Sequence, residues 1–298
     1  CEDAKGEATT ISLIAHITAQ QGEVTRALEL WQQSLTLSEQ VGDVRSKAGT
    51  LHNMASILAE QGDVQRAIDL WKQSLTIKQQ IGDIPGKAAT LSMMAGVMAK
   101  QGDTRSTIDL WQGALLIYEQ LDDVHGRATV LSMMAGEIAK QGNTSRAFDL
   151  WHQSLHLKEQ IGDIQGRAAT LSKMAKVTAE QGNYAQARQW WEQSLALVEQ
   201  SGDARGRAAT LANLAWLAQQ EAQANEAYRL YREAATGFAT LQAWPDLLTV
   251  LDNLGSAVPD QSIHFYAQAY WLALHTPVPI EQALFLAAKL TSCVERTI

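Results

Sequence analysis

An aromatic residue that recurs every 40 residues is the feature that most restricts how this chain of 298 residues can fold. A leucine column and a glycine column repeat at the same interval. The three columns are Trp31, Trp71, Trp111, Trp151, Trp191, Tyr231 and Trp271; Leu51, Leu91, Leu131, Leu171, Leu211 and Leu251; and Gly22, Gly62, Gly102, Gly142 and Gly182. A fixed period of about 20–50 residues is typical of repeat architectures, in which each repeat is one supersecondary unit. We expect the aromatic column to lie in the core, as is usual for aromatic residues at helical spacing.

Each unit contains two helical segments separated by a glycine. In the second unit, apolar residues fall at helical spacing on both sides of Gly62, at Leu51, Met54, Ala55 and Leu58 and then at Val64, Ala67, Ile68, Trp71 and Leu75. The glycine is expected to end the first helix in a left-handed conformation, and Asp63 to cap the second. No segment sustains the two-residue alternation of a strand. The sequence therefore predicts an all-α chain of about fifteen helices.

The helices are expected to form one stack. A single helix pair cannot bury its apolar stripe, whereas stacked pairs share a continuous core, so we predict one solenoid over residues 1–298. Residues 1–3 align with the joint at 41–43, so the chain is expected to be a piece of a longer protein with sequence upstream, while its other end resembles a natural terminus. The predicted units cover about 4–43, 44–83, 84–123, 124–163, 164–203, 204–243 and 244–277, followed by a capping helix at about 279–296.

Composition and charge remove several classes of function. The formal charge of −8 argues against nucleic-acid binding through phosphate neutralisation. Cys1 and Cys293 are too few for a disulfide framework or a zinc site, and no run approaches the roughly 18 apolar residues of a membrane span. His152 and His156 have a metal-binding spacing, but the repeat places no third ligand beside them. We therefore expect no cofactor, metal, nucleic acid or membrane contact, and a cytoplasmic location.

The repeating residues resemble the signature of the tetratricopeptide repeat family. In the second unit the signature positions are Leu51, Met54, Ala55, Leu58, Gly62, Ala67, Trp71 and Ser74. The 40-residue unit with its Gly-Asp joint is similar to the longer variant of kinesin light chains and of bacterial sensor proteins. The resemblance implies a right-handed superhelical solenoid of about seven helix-turn-helix repeats with a C-terminal capping helix.

The resemblance also implies which side chains face a ligand, because tetratricopeptide solenoids line their concave groove with the first helix of each pair. Asparagines in these columns could pair with a peptide backbone, methionines could form an adaptable apolar floor, and lysines could attract acidic residues. The alternative is that these side chains only solvate a helix face. The predicted site residues are His16, His52, Asn53, Ser56, Met93, Met133, Lys173, Lys176, Asn213, Trp216 and Asn253.

No serine, cysteine or histidine stands in a recognisable nucleophile arrangement, so we do not expect an enzyme. The predicted function is a non-catalytic scaffold that binds a peptide or protein segment, with acidic residues at one end, in the groove. The alternative is a ligand-sensing or regulatory array of a larger bacterial signalling or defence protein, whose protease or ATPase effector lies outside this segment. Association of copies through the exposed N-terminal repeat face is a further expectation.

Overall fold

The computed structural model describes residues 2–258 and 261–297, and within these ranges the chain forms fifteen α-helices and no strand. The predicted all-α class is therefore confirmed, and the final helix lies within one residue of its predicted bounds at each end. None of these helices is long and apolar enough to cross a membrane. The helices are α1 (Glu2–Gln20), α2 (Val24–Gln40), α3 (Val44–Glu60), α4 (Val64–Gln80), α5 (Ile84–Gln101), α6 (Thr104–Gln120), α7 (Val124–Lys140), α8 (Thr144–Gln160), α9 (Ile164–Glu180), α10 (Tyr184–Ser201), α11 (Ala204–Gln220), α12 (Ala224–Thr240), α13 (Trp244–Ala257), α14 (Ser262–His275) and α15 (Ile280–Thr297).

A short turn of recurring construction separates successive helices. At the end of α4, Gly82 adopts a φ of 69°, which an L-residue with a side chain rarely does. The next residue, Asp83, then accepts the backbone N–H of Gly86 at 3.0 Å and so caps α5. Left-handed glycines followed by capping aspartate or asparagine recur along the chain, as the sequence predicts.

Among the residues that the structure describes, three turns place a residue other than glycine in the left-handed conformation, with φ values of 51° at Asp122, 58° at Ala222 and 53° at Gln242. A side chain in this conformation costs about 1–2 kcal/mol. We expect Ala222→Gly to raise the free energy of unfolding by about 0.5–1 kcal/mol in urea denaturation, because relief of this strain exceeds the entropy that glycine gains in the unfolded chain. The control is Ala209→Gly on the exposed side of α11, which should lower it by about 1 kcal/mol. Destabilisation by both substitutions would contradict the prediction.

Two compact units make up the chain, Cys1–Leu157 and Lys158–Ile298. In the first unit Trp31, Trp71, Trp111 and Trp151 are buried, and the first three pack between their own pair and a neighbouring one. In the second unit the core forms around Trp191 and Tyr231 together with leucines of α11 and α13. The single solenoid over 1–298 stays a prediction.

Buried serines fasten the two helices of several pairs to each other. The hydroxyl of Ser74 in α4 donates to the backbone carbonyl of Ala48 in α3 at 2.8 Å. Because both groups are buried, the hydrogen bond satisfies polar atoms that would otherwise be costly to desolvate. The same bond, always to an alanine 26 residues earlier, is made by Ser34, Ser154 and Ser194.

The expectation that the whole aromatic column is buried is wrong for Trp271, whose side chain is 58 % exposed. The helix α13 has 14 residues where α11 has 17, and α14 begins at Ser262 although the 40-residue spacing from Ala224 would place its start at 264. A shift of two residues turns a helix by about 200° around its axis. Phe265, Tyr266 and Ala269 therefore face the core, while Trp271 faces outward.

Candidate functional site

The sequence-predicted site residues of the first unit include two methionines that lie beside one cleft. A cavity of 530 Å³ opens between α5 and α7, lined by Met93 and Met133, which are 42 % and 40 % exposed. The cleft also includes Gly96, where a Cβ would meet no atom within 4 Å. Within each unit, we call the surface formed by the predicted site columns of the odd-numbered helices the first-helix face; these helices are α1–α7 in the first unit and α9–α13 in the second. On α5 and α7 this face is apolar, open and flanked by small residues.

The floor of this cleft depends on a close contact at the joint between α6 and α7. The ring of Tyr118 lies over Gly126, and a Cβ at Gly126 would come within 2.5 Å of a ring carbon. Glycine is therefore required at this position for the ring to stay where it is. Both residues line the cleft, together with the ionisable side chains of Lys100, Asp123 and His125. A ligand in the cleft would thus meet apolar surface and charges of both signs.

A second, smaller cavity of 310 Å³ lies between α1 and α3 in the same unit. The predicted residues His16 and Asn53 both line it, as does Leu13, whose side chain is 61 % exposed. Asn53 is half-buried and carries an amide that can both donate and accept a hydrogen bond. The structure therefore brings these two predicted residues to one depression.

His52 and Ser56, also predicted as ligand contacts, already make contacts within the scaffold. The Nδ1 atom of His52 lies 3.0 Å from the hydroxyl of Thr90 in α5, and the Ser56 hydroxyl donates to the His52 carbonyl at 3.0 Å. Burial, aided by the positive charge of Lys78, lowers the pKa of His52 to about 4. The imidazole is therefore neutral at pH 7 and connects α3 with α5.

Sequence analysis missed a buried lysine in each unit. The ammonium of Lys158 in α8 donates to the hydroxyl of Thr170 at 2.8 Å and to the carbonyl of Gly166 at 3.1 Å, and only 6 % of the side chain is exposed. Desolvation, together with the nearby charge of Lys173, lowers the pKa of Lys158 to about 8. The signal in the sequence was the 80-residue spacing to an equivalent trio in the first unit, Lys78, Thr90 and Gly86.

The predicted residues of the second unit lie on α9, α11 and α13. Lys173 and Lys176 are exposed on α9, whereas Asn213 and Trp216 on α11 and Asn253 on α13 are half-buried. Although Lys173 reaches solvent, desolvation by the surrounding protein lowers its pKa. Since the charge of Lys173 also lowers the pKa of Lys158, these two lysines lie close enough to repel, and α9 adds the exposed Lys176.

The half-buried Trp216 is fixed in orientation by an aromatic neighbour from the preceding helix. Its ring meets that of Tyr184 edge-to-face, with centroids 6.4 Å apart and planes at 90°. Such a pair is worth about 0.5–1.5 kcal/mol beyond the area that it buries. Trp216 is therefore a pre-oriented surface on which an apolar group can pack.

Near Asn253, part of the first-helix face is bound by the last helix of the chain. Lys289 of α15 forms an ion pair with Asp252, and its ammonium lies 4.7 Å from the ring centroid of Phe285. The capping helix thus reaches the seventh pair, as predicted, by a charged contact as well as by the buried side chains of Ala283 and Leu286.

The described residues contain no group of three or more His, Cys, Asp or Glu side chains that could hold a metal ion. His152, one of the two histidines with metal-binding spacing, is exposed on α8. The surfaces described above are open clefts, the larger of them lined mainly by apolar side chains, together with exposed lysines on α9. Such a fold defines a helical-repeat scaffold.

The chain belongs to the tetratricopeptide repeat family. The family profile, described as tetratricopeptide repeat, matches residues 6–83 and 166–240, which together make up half of the chain. Scaffolds of this family are typical of protein–protein interaction and are in general non-catalytic. No curated protein matches the sequence.

Solved structures share the fold at low sequence identity. A signal-transduction ATPase with numerous domains and a tetratricopeptide repeat sensor, from Pyrococcus horikoshii, is 15 % identical over 96 % of this chain, with a TM-score of 0.71; this chain spans 44 % of that protein. Kinesin light chain repeats of Podospora anserina are 18 % identical, with a TM-score of 0.57, over 67 % of this chain and 98 % of that one. A Rap protein complexed with Competence and Sporulation Factor is 14 % identical, with a TM-score of 0.59, over 98 % of both chains.

Proposed function

We propose that this chain is a non-catalytic, cytoplasmic interaction module that binds a peptide or protein segment on its first-helix face. The observation that carries the proposal is the 530 Å³ cleft between α5 and α7. Ligand pockets have volumes of about 300–1,000 Å³ and are mainly apolar, with a few polar groups that fix orientation. The cleft has this size and this kind of lining.

Methionine suits such a surface because its side chain is flexible and polarisable. Met93 and Met133 can repack around different apolar side chains, which favours an anchoring role for them. Small neighbours such as Ala89 and Gly96 leave room for the ligand main chain, and Asn53 can pair with a peptide group. The apolar contacts therefore supply affinity, while the amide supplies orientation.

The positive charge of α9 favours a ligand with acidic residues. Lys173 and Lys176 project from the first-helix face of the second unit, and Lys158 adds a buried charge near Lys173. Complementary charges mainly speed encounter and fix orientation, and their effect declines with salt. We therefore assign these lysines to attraction of the segment and the methionines to its retention.

The methionine assignment is tested with a segment recovered by pull-down with the unmodified chain. We expect the double variant Met93→Ala and Met133→Ala to weaken its binding at least tenfold in isothermal calorimetry, because both apolar anchors are lost. The control removes exposed apolar area elsewhere in the first unit, with Leu116→Ala and Leu121→Ala, which are 60 % and 40 % exposed. Loss of binding in the control alone would place the functional surface on another face.

The charge assignment is tested with the same segment at two salt concentrations. Lys173→Glu with Lys176→Glu should weaken binding and flatten its salt dependence. Asp69→Lys with Asp109→Lys, exposed on the second helices α4 and α6, should change little. An unchanged salt dependence in the lysine variant would remove these residues from the site.

A second candidate function is a sensing or regulatory array within a larger bacterial signalling or defence protein. It is favoured by the likeness to the sensor repeats of the P. horikoshii ATPase and to a Rap protein in complex with a factor. The open reading frame around this segment discriminates between the two, because a nucleotide-binding or protease motif beside it would favour the regulatory array.

Self-association is also part of the proposal. The side chains of Ile14 and Ile17 of α1 are about half exposed, whereas Met54 and Met94 are buried. These two methionines occupy the same column as Ile14 in later pairs, so the exposed isoleucines form an apolar surface that a second copy could cover.

A further inference from the structure

The outward rotation of Trp271 creates a cleft that the first-helix face does not explain. A cavity of 620 Å³ lies between the second helices α12 and α14, above the buried leucines of α13. Its walls include Ala235 and Ala239 of α12, and Ala267 and Trp271 of α14. The small alanine side chains leave a space between the two helices, and the indole of Trp271 borders it.

The indole is held in position by a ring stack. Trp271 and His275 lie with their ring centroids 4.4 Å apart and their planes at 20°, and Nδ1 of His275 lies 2.7 Å from the Trp271 carbonyl oxygen. A rigid aromatic side chain loses little entropy when a ligand packs on it. An exposed but pre-oriented indole is therefore well suited to bind another ring by stacking or edge-to-face contact.

The lining also indicates the charge of the occupant. Among the described residues that line this cleft there is no Asp, Glu, Lys or Arg, although the chain carries a formal charge of −8. The polar side chains are those of Thr236, His264 and Gln268. A charged group would lose hydration here without finding a countercharge, whereas one hydroxyl or N–H group could find a hydrogen-bond partner.

We propose that this cleft binds a small, planar, uncharged aromatic compound with one polar group, packed against Trp271. The cavity volume lies within the range of about 300–1,000 Å³ that is usual for small-molecule sites. The buried leucines Leu247 and Leu251 would supply the apolar base, and the alanines would lie against the ring. This site is independent of the segment-binding function, since it lies between second helices.

The test uses indole as the probe and cyclohexanol as a nonaromatic ring compound that also carries one polar group, with binding measured by ligand-observed NMR titration. We expect indole to bind and cyclohexanol to bind at least tenfold more weakly. Trp271→Ala should weaken indole binding at least tenfold, and Trp271→Phe should restore most of it. Ala239→Trp, which fills the cleft from the opposite wall while Trp271 stays in place, should also abolish binding.

The control variant is Leu284→Ala, which removes a 65 % exposed apolar side chain from α15 and should leave indole binding unchanged. Circular dichroism and sedimentation velocity on every variant check folding and association. Equal binding of indole by the unmodified chain, Trp271→Ala and Ala239→Trp would overturn the proposal. Equal affinity for indole and cyclohexanol would also overturn it. A dimer of the unmodified chain that Trp271→Ala dissociates would overturn it as well, because a second copy would then cover the cleft.

Discussion

Replacing Trp71 with alanine is expected to lower the free energy of unfolding of the first unit by about 3–5 kcal/mol. The indole is completely buried and packs with Leu58, Ile68 and Met94 of three different helices. Its removal would leave a cavity that these helices can fill only in part, which adds to the lost burial of apolar surface. Urea denaturation measures the change.

The chain provides a matched control at another member of the same 40-residue column. Trp271→Ala removes the same side chain from a site that is 58 % exposed, and it should cost about 0.5 kcal/mol or less. In hydrogen exchange, Trp71→Ala should remove protection first from α3–α6, because repeats interact mainly with their neighbours. Equal costs for the two substitutions, or a uniform loss of protection along the chain, would contradict the packing described above.

A large effect of pH on stability is expected from Lys158. Its ammonium is buried with only neutral hydrogen-bond partners, and its pKa is about 8 in the folded chain against an ordinary value of 10.5. Between these two values the unfolded chain holds more protons than the folded chain, so stability rises as the pH increases from 8 towards 10.5. At pH 7 the buried charge therefore weakens the fold.

Replacing Lys158 with methionine should remove this penalty and stabilise the chain by about 2 kcal/mol at pH 7. The Gly166 carbonyl keeps a partner, because the Thr170 hydroxyl also donates to it at 2.8 Å. Denaturation at pH 7 and pH 10 checks the result, and the gain should shrink at the higher pH. Lys78→Met should act in the same direction, while exposed Lys72→Met should not. A destabilised Lys158→Met variant would show that the hydrogen bonds outweigh the desolvation of the charge.

The helices and turns could be predicted from the sequence because their determinants are local and repeat. A left-handed glycine such as Gly82 and a capping Asp83 specify the same turn wherever they occur, so one unit predicts the next. The position of Trp271 could not be predicted in this way. A 40-residue column assumes helices of constant length, and the shorter α13 shifts the register by two residues.

The candidate site was predicted less completely for a different reason. The columns identify which positions lie on the first-helix face, but the chemistry of each position depends on neighbours from other helices. His52 contacts Thr90 across two helices, and Lys158 is buried although lysine is usually exposed. Only the packed structure shows these contacts between helices. The partial exposure of Met93 and Met133, by contrast, agrees with the expectation that their column lies on the surface.

The buried lysines also limit how such an array can change during evolution. The Gly-Asp joints are alike, so recombination between them could add or remove whole helix pairs without altering a turn. Lys78, however, needs the hydroxyl of Thr90 across its joint, whereas the equivalent position in α7 is the buried apolar Val130. A rearrangement that placed α7 after α4 would leave an ammonium facing a hydrocarbon, at a cost of several kcal/mol. The lysine–threonine contacts thus exclude the orders in which α7 would follow a lysine-bearing helix, although the joints alone would permit them.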